Sequence, residues 1–422
     1  MRILTISNLY PPDVIGGYEI GCGQMVAELQ RRGHELRVLT SAPRWPVAAA
    51  AGVERELHLT DFHTRHDRPQ GLGALDRAMD VRAQIVDSAN VATLLRHLRD
   101  FEPDVVYLWN LTQVGALGLL ASLAHLQVPV LWHLMDDVPR SATTLGGTTV
   151  RSIGRLMSRR LRAKYLCCSQ HLRDEILSSG FDFGDHVEIV HNWVDPVPAP
   201  RPRRYYPAGI ARLRIVCAGQ LAPHKGVDLI VEAAGRLLDS GRNAFQIDLF
   251  GGGLTDRYAH IIRQKHLEGC VTQHGVLPHA ELVECFWEQD VFLFPTWSRE
   301  PFAFAPLEAS ARGCVPIMSR DCGNAEWSVD GVDAIKVDRE GVAIAGALAS
   351  LLDGGHDLAA MSRRARWTAT TMYTLGRAAD IVESGLSGAI RRPAARPGHP
   401  DETYHLARLT ERLTQDWAEQ VR

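Results

Sequence analysis

Two glutamates eight residues apart, Glu300 and Glu308, flank the stretch EPFAFAPLEA inside WSREPFAFAPLEASARG (297–313). Pro306 suits the first position of a helix, which puts Glu308 in the first turn and leaves Glu300 on the preceding loop. The two carboxylates therefore do not share a helix face. Small and apolar residues between them direct backbone N–H groups toward a helix N-terminus, a geometry that attracts a diphosphate. Carboxylates on either side then accept hydrogen bonds from sugar and ribose hydroxyls. Taken singly, Glu308 reads as a favourable charge at a helix start and Glu300 as a solvated loop residue. The ensemble favours the ligand-binding reading.

A second constellation is AGQLAPHKGVDLIVEAAGRL (218–237), in which a strand ends at Gly219 and a tight loop carries Lys225 ahead of Gly226 and a helix. A lysine so placed reaches a phosphate as a point charge. Alone it is a weak signal, and the GxxxxGK[ST] spacing of a Walker A loop is absent. The third is YPPDVIGGYE (10–19), where Gly16-Gly17 lets the backbone approach a ligand at the top of an N-terminal sheet. No G-x-G-x-x-G follows the first strand, and the second strand ends Thr40-Ser41 instead of on an acidic residue. A nicotinamide cofactor is therefore disfavoured.

These groups need a scaffold. The length of 422 residues suits two domains, and 46 basic against 49 acidic residues give no charge excess for wrapping nucleic acid. The eight cysteines lack zinc-ligand spacing and lie mostly in apolar segments, as expected of a protein in a reducing cytosol. The apolar start MRILTISNLYPP reads as a strand and not a leader, and no stretch reads as a membrane span.

Strands and helices alternate along the chain, the pattern of a parallel sheet. In the first half the expected strands are 2–7, 35–41, 105–109, 129–134, 165–169 and 187–190. The helices are 21–32, 80–100, 114–125, 151–163 and 170–179. DPVPAPRPRRYYP (195–207) carries five prolines in 13 residues and reads as a linker. A second series follows, with strands at 213–219, 245–251, 270–275, 291–295 and 315–319. Its helices lie at 226–240, 255–266, 279–287, from Pro306, and at 340–352. The resulting organisation is α/β with two Rossmann-like, doubly wound domains. It runs 1–195, an acceptor-side domain; 196–212, a linker; 213–362, a donor-binding domain; 363–390, a helical segment; and 391–422, a linker and C-terminal helix. Ligands bind at the carboxyl ends of the strands in such sheets, and a cleft between the domains is the default site. In the last helix Leu406, Leu409, Leu413 and Trp417 form a short stripe that reads as a docking face, with dimerisation as the alternative.

Together these stretches resemble glycosyltransferase family 4, retaining enzymes of the GT-B fold. The carriers are Gly16-Gly17 with Glu19, the Gly219-to-Gly226 loop with Lys225, Gly251-Gly252-Gly253, HGVLPHAEL (274–282) and the Glu300/Glu308 pair. The resemblance spans about 1–390. It implies that Lys225 binds the donor diphosphate, Glu300 the transferred sugar and Glu308 the ribose. Backbone around Val276 and Leu277, beside Gly252, would hold the nucleobase. Gly16-Gly17 would close over the phosphates from the other domain, and Gln220, Phe302, Ala303 and Phe304 complete the donor side. The segment 363–386 would cross back to the N-terminal domain. Three departures stand out: Gln220 replaces a family arginine, Ala303 a family glycine, and Met135-Asp136 a family His-Asp pair, with His133 two residues earlier. Asp136 and His133 are the acceptor-side candidates, the latter equally readable as a core histidine.

Cleaving a sugar–diphosphate bond develops negative charge on the leaving group, which preorganised cations and N–H donors stabilise. Lys225 and the helix start at Pro306 supply this without a metal, and the nucleotide-diphosphate sugar is a co-substrate, so no cofactor is expected. Transfer with retention, to a glycan, lipid-linked or small-molecule acceptor in glycan, polysaccharide or glycolipid synthesis, is the reading the resemblance implies. The alternative is a catalytically weak nucleotide-sugar-binding protein of the same fold. Arg151–Lys164 is basic and reads mainly as a solvated helix face, the other reading being contact with anionic lipid. The expected location is cytoplasmic, at most peripheral to the inner membrane face, with no nucleic acid partner.

Overall fold

The computed structural model describes the whole chain except residues 44, 60–84, 136–137, 140–158, 185, 208–209 and 421–422, and gives no side chains over 413–420. The chain forms two compact units, Met1–Val190 with Ala378–Arg422, and His191–Arg377.

In the first unit, strands β1 (Arg2–Ile6), β2 (Glu35–Ser41), β3 (Val53–Leu57), β4 (Val105–Leu108), β5 (Val130–Leu134), β6 (Ala163–Cys167) and β7 (Val187–Ile189) make one sheet. Its order is β3-β2-β1-β4-β5-β6-β7 with every neighbouring pair parallel. The strands β4 (VVYL) and β5 (VLWHL) are buried at every position, as a parallel strand covered on both faces requires. Helices α1 (Gly17–Arg31), α2 (Ser88–Phe101), α3 (Ala116–Leu126) and α4 (Gln170–Ser178) connect them. Asp87 and Ser169 start α2 and α4 by accepting from the Asn90 and Leu172 N–H groups, both at 3.0 Å.

Several sequence expectations shift here. The first helix begins at Gly17, not near Gly21, because the Glu19 carboxylate reaches back to the N–H groups of Gly16 and Ile15 (2.9 and 3.1 Å). Strand β3, VEREL, was not expected; it is a half-exposed edge and so lacks an apolar run. The helix expected over 80–100 starts at Ser88, residues 80–84 being outside the described residues. The helix expected over 151–163 falls largely outside them, and Ala163 already belongs to β6, paired with Val130.

The second unit has β8 (Leu213–Ala218), β9 (Phe245–Phe250), β10 (Val271–Gly275), β11 (Val291–Phe294), β12 (Val315–Ser319) and β13 (Ile335–Val337). They form a parallel sheet in the order β10-β9-β8-β11-β12-β13. The three-residue edge strand β13 is too short to have been legible. Helices α5 (Val227–Asp239), α6 (Thr255–Gln264), α7 (His279–Cys285), α8 (Ala305–Ala311), α9 (Gly341–Leu352) and α10 (Leu358–Met372) flank it. In α5 the buried stripe Val227, Ile230, Val231, Ala234 and Leu237 faces the core. In this sheet the order reverses between β8 and β11, so the loops after those two strands open onto one crevice at their carboxyl ends. Those are the loops carrying Lys225 and Glu300.

The chain enters the second unit at His191, ahead of the proline-rich stretch, because His191 stacks on Phe302 (4.8 Å between centroids) and Asn192 Nδ2 donates to the Phe302 carbonyl at 2.6 Å. The helical stretch expected over 363–386 is two helices. Tyr373 leaves helical geometry at φ −116°, ψ 65°, and packs against His191 and Trp327. Helix α11 (Leu375–Arg391) follows, belonging to the first unit from Ala378 on. Helix α12 (Pro400–Gln420) packs on α2 and α3. It does so through Thr403 and Ala407, whose small side chains permit close approach, while Leu406 and Leu409 are exposed. Leu406 and Leu409 are therefore not on the docking face, while the side chains of Leu413 and Trp417 lie outside the described residues. All eight cysteines are free thiols, and seven are buried. Among the described residues no helix is long and apolar enough to cross a membrane.

Candidate active site

The loops after β8 and β9 each carry a glycine that admits no side chain. Gly251 has φ +134°, and a Cβ there would lie 1.8 Å from the Gly219 carbonyl oxygen. Gly226 has φ +77°, and its Cβ would lie 2.1 Å from the Pro295 carbonyl oxygen. The ends of β8, β9 and β11 are thereby drawn together, and a 3-10 turn over Pro223–Lys225 presents Lys225 between them.

The Lys225 ammonium is ion-paired with the Glu300 carboxylate. Glu300 is 5% exposed, and its Oε2 also accepts from the Thr296 hydroxyl at 3.2 Å. The aromatic face of Phe294 lies 5.9 Å from the ammonium. A cation and a carboxylate, each on a loop following one of the two strands at the reversal of the sheet, form the polar centre of this unit.

The loop from Glu300 to Glu308 differs in detail from the sequence expectation. Phe302 and Phe304 are buried, the latter edge-on to Trp193 at 5.5 Å, so only their backbones are available to a ligand. The Ala303 N–H is not free: Asn324 Oδ1 accepts it at 2.7 Å, and Asn324 Nδ2 donates back to the Ala303 carbonyl at 2.9 Å. The N–H groups of Leu307 and Glu308 both go to the Phe304 carbonyl. Asn192 and Asn324 thus clamp the loop, a role sequence reading missed, since the three segments are far apart in the chain.

Glu308 is in the first turn of α8, as expected, and nearly buried. Its Oε1 is 2.7 Å from His279 Nε2, and that hydrogen bond raises the His279 pKa against the opposing effect of burial. On the far side of β8, Val276 is 74% exposed, and a Cβ on Gly252 would lie 3.2 Å from its Cγ2. Leu277 follows it half-buried, and Gln220 flanks Gly253. An exposed valine over a glycine turn offers a flat apolar shelf backed by backbone groups.

Residues 16–193 match the family described as "Glycosyl transferase 4-like domain", and 211–368 match "Glycosyl transferases group 1". The chain is a family 4 glycosyltransferase. It is similar to a glycogen synthase of Mycobacterium tuberculosis, 26% identical over 379 residues that cover 87% of this chain and 89% of the relative. It is also similar to a GDP-mannose-dependent alpha-mannosyltransferase of the same organism, 27% identical over 336 residues, 76% and 80% of the two chains. The Anabaena protein HepE in complex with UDP superposes with a TM-score of 0.68 at 16% identity, covering 92% of this chain and 100% of that one. That likeness establishes the GT-B fold.

In the first unit of this glycosyltransferase, Gly16 is the exposed residue before α1, at φ −157°, and Gly17 is its first residue. Glu19, which holds that turn, is nearly buried, and burial pushes its carboxyl pKa up while the Gly16 and Ile15 N–H groups oppose the shift. His133 lies in the core, fully buried on β5: its Nδ1 is 2.8 Å from the Tyr107 hydroxyl, and Trp109 meets it edge-on at 4.7 Å. Burial lowers its pKa to about 3, and a hydrogen bond with the Val190 backbone opposes the shift without cancelling it. The imidazole is therefore neutral and shielded. Met135 is buried as well, and Asp136 lies outside the described residues.

Proposed function

We propose that this enzyme transfers a sugar, with retention, from a nucleotide-diphosphate sugar to a hydroxyl acceptor. The observation that carries the reading is the Lys225–Glu300 pair on the two loops that follow β8 and β11. A donor entering here would insert its diphosphate at Lys225 and its sugar at Glu300. Lys225 would then exchange a carboxylate for the anionic diphosphate, and Glu300 would exchange an ammonium for neutral sugar hydroxyls. The bond from the anomeric carbon to the β-phosphate oxygen breaks, and a bond to the acceptor oxygen forms on the same face. The acceptor proton passes to the departing phosphate oxygen, and a nucleoside diphosphate leaves. Lys225 would hold the charge that grows on that oxygen, which lets the step proceed without a metal or cofactor.

Glu308 would take the ribose hydroxyls, and the Gly252–Val276–Leu277 shelf the base. A nucleotide donor fits the relatives, one of which is GDP-mannose-dependent, and HepE, which was crystallised with UDP. The test is a panel of nucleotide sugars read by thermal shift, followed by detection of released nucleoside diphosphate. Stabilisation by one donor together with slow nucleoside diphosphate release is the expected result. Binding without any release, in the presence of diverse glycan and lipid acceptors, would reduce the reading to a sugar-nucleotide binder.

A further inference from the structure

At the amino end of β6, in the first unit, lies a cavity of about 220 Å³ whose wall includes Arg159, Tyr165, Asp182, Phe183, His186 and Arg392. No part of the donor chemistry uses it. Ala163 and Tyr165 share one face of β6, whereas catalytic loops in such sheets follow the opposite, carboxyl ends.

The decisive group is Tyr165. It is 2% exposed, and its hydroxyl has no hydrogen-bond partner among the described residues. Buried hydroxyls in folded proteins are seldom left in that state, which points to a ligand or ordered water at the position. The ring is not free to turn away: Phe181 and Phe183 meet it edge-on at 5.8 and 5.0 Å. Arg392 is equally fixed, its Nη1 donating to the Ala163 carbonyl at 2.7 Å while its own carbonyl accepts from Arg162 Nε at 2.7 Å. Burial lowers the Arg392 pKa, and the neighbouring Arg162 acts in the same direction. Arg159 stands at the rim, 72% exposed, with its Nε 3.5 Å from Asp182 Oδ2.

Two guanidinium groups and a phenol are donors, and the facing acceptor, Asp182, is half-exposed and also accepts from the Gly184 N–H at 2.9 Å. A donor-rich, net-positive cavity walled by aromatic rings is complementary to an acceptor-rich anion, and guanidinium forks match phosphate geometry. We propose that this cavity is a phosphate-binding site, taking the phosphate group of a small solute or of a lipid headgroup. Exposed Arg160 and Arg391, each adjacent in sequence to a lining arginine, add to the positive field at its mouth.

The test uses inorganic phosphate and the full-length protein, read by thermal shift. Lys225→Ala protein is included so that phosphate captured at the donor site is not counted. Phosphate is expected to stabilise wild type and Lys225→Ala protein alike. In Tyr165→Phe/Arg159→Gln protein the half-saturating concentration should rise at least fivefold, with stabilisation by nucleoside diphosphate unchanged. If the double variant does not fold, Arg159→Gln alone carries the test, because that side chain is mostly exposed. Co-sedimentation with phosphatidylglycerol against phosphatidylcholine vesicles separates the sources. Retention on the former that the double variant loses assigns a lipid headgroup, and phosphate binding without retention assigns a soluble phosphate. An absent phosphate shift in Lys225→Ala protein, or an unchanged half-saturation in the variants, overturns the proposal.

Discussion

Lys225 and Glu300 are ion-paired across 75 residues of chain, the lysine on the loop after one strand and the glutamate on the loop after its neighbour. The pair joins stability to activity, since the carboxylate is 5% exposed and loses its cation when the lysine is removed. Lys225→Ala is expected to lower stability by roughly 1–3 kcal/mol, the penalty of a buried group left short of a partner. It should also raise donor KM and lower kcat, because the charge is needed most as the leaving group departs. Adding Glu300→Gln should recover the melting temperature and none of the activity. Unchanged donor kinetics in Lys225→Ala protein would remove the lysine from the site.

The two glutamates should separate by kinetics. Glu300→Gln is expected to reduce turnover well beyond any loss in nucleoside diphosphate affinity, since its place is on the sugar side. Glu308→Ala should weaken both, because the ribose is common to donor and product. Isothermal titration with the free nucleoside diphosphate decides the matter: equal losses in the two variants would show that Glu300 does not face the sugar.

The clamp on the loop between them gives a third expectation. Asn324 uses both ends of its amide on Ala303, one accepting at 2.7 Å and one donating at 2.9 Å. Asn324→Asp keeps the acceptor but loses the donor to the Ala303 carbonyl, while Asn324→Ala loses both. Donor KM should therefore rise in the order wild type, Asp, Ala, with at least a tenfold total change, about 1.4 kcal/mol. Equal KM values in all three proteins would show that the loop holds its shape without the clamp.

What the sequence made legible was local, or lay in apolar runs. Pro306 placed Glu308 in the first turn of α8, and the run VFLF marked a strand, which the fold buries at every position. Gly226 and Gly251 marked loops where only glycine fits, although the carbonyls that exclude a Cβ, those of Pro295 and Gly219, belong to other loops. Pairings such as His279 with Glu308, 29 residues apart, leave no periodic trace. Edge strands β3 and β13 have too little apolar content or length to show a period. In α12 the leucine spacing misled at Leu406 and Leu409, which are exposed, whereas the small residues Thr403 and Ala407 are the buried ones.

His279 gives the protein a pH-dependent term. Its pKa is raised chiefly by the hydrogen bond to Glu308, with burial and the nearby Arg312 opposing. A raised folded-state pKa contributes stability that is fully present below the ordinary imidazole value of about 6.5 and is lost as pH rises through the folded value. The melting temperature of wild type should therefore lose its advantage over His279→Gln as pH increases through that window. Melting curves of the two proteins from about pH 5.5 to 9 test this, and a constant difference would dismiss the ion pair.

His133 titrates in the opposite sense and supplies the last expectation. Burial lowers its pKa to about 3, so between about pH 6.5 and 3 the unfolded chain binds a proton that the folded chain does not. Stability is then present above the ordinary value and falls on acidification, by at most about 1.4 kcal/mol per pH unit within that interval. His133→Gln should flatten this slope, and at neutral pH both His133→Gln and His133→Ala should act on the melting temperature. Any loss of transfer should be proportionate to the unfolded fraction, since a fully buried imidazole between Tyr107 and Trp109 has no route to an acceptor hydroxyl. Asp136 follows three positions further along the chain, and Asp136→Asn is instead expected to lower transfer at least tenfold with folding intact, or about 1.4 kcal/mol of transition-state stabilisation. If His133→Ala leaves the melting temperature unchanged and abolishes transfer, the buried imidazole is not a core residue but the group that exchanges the proton.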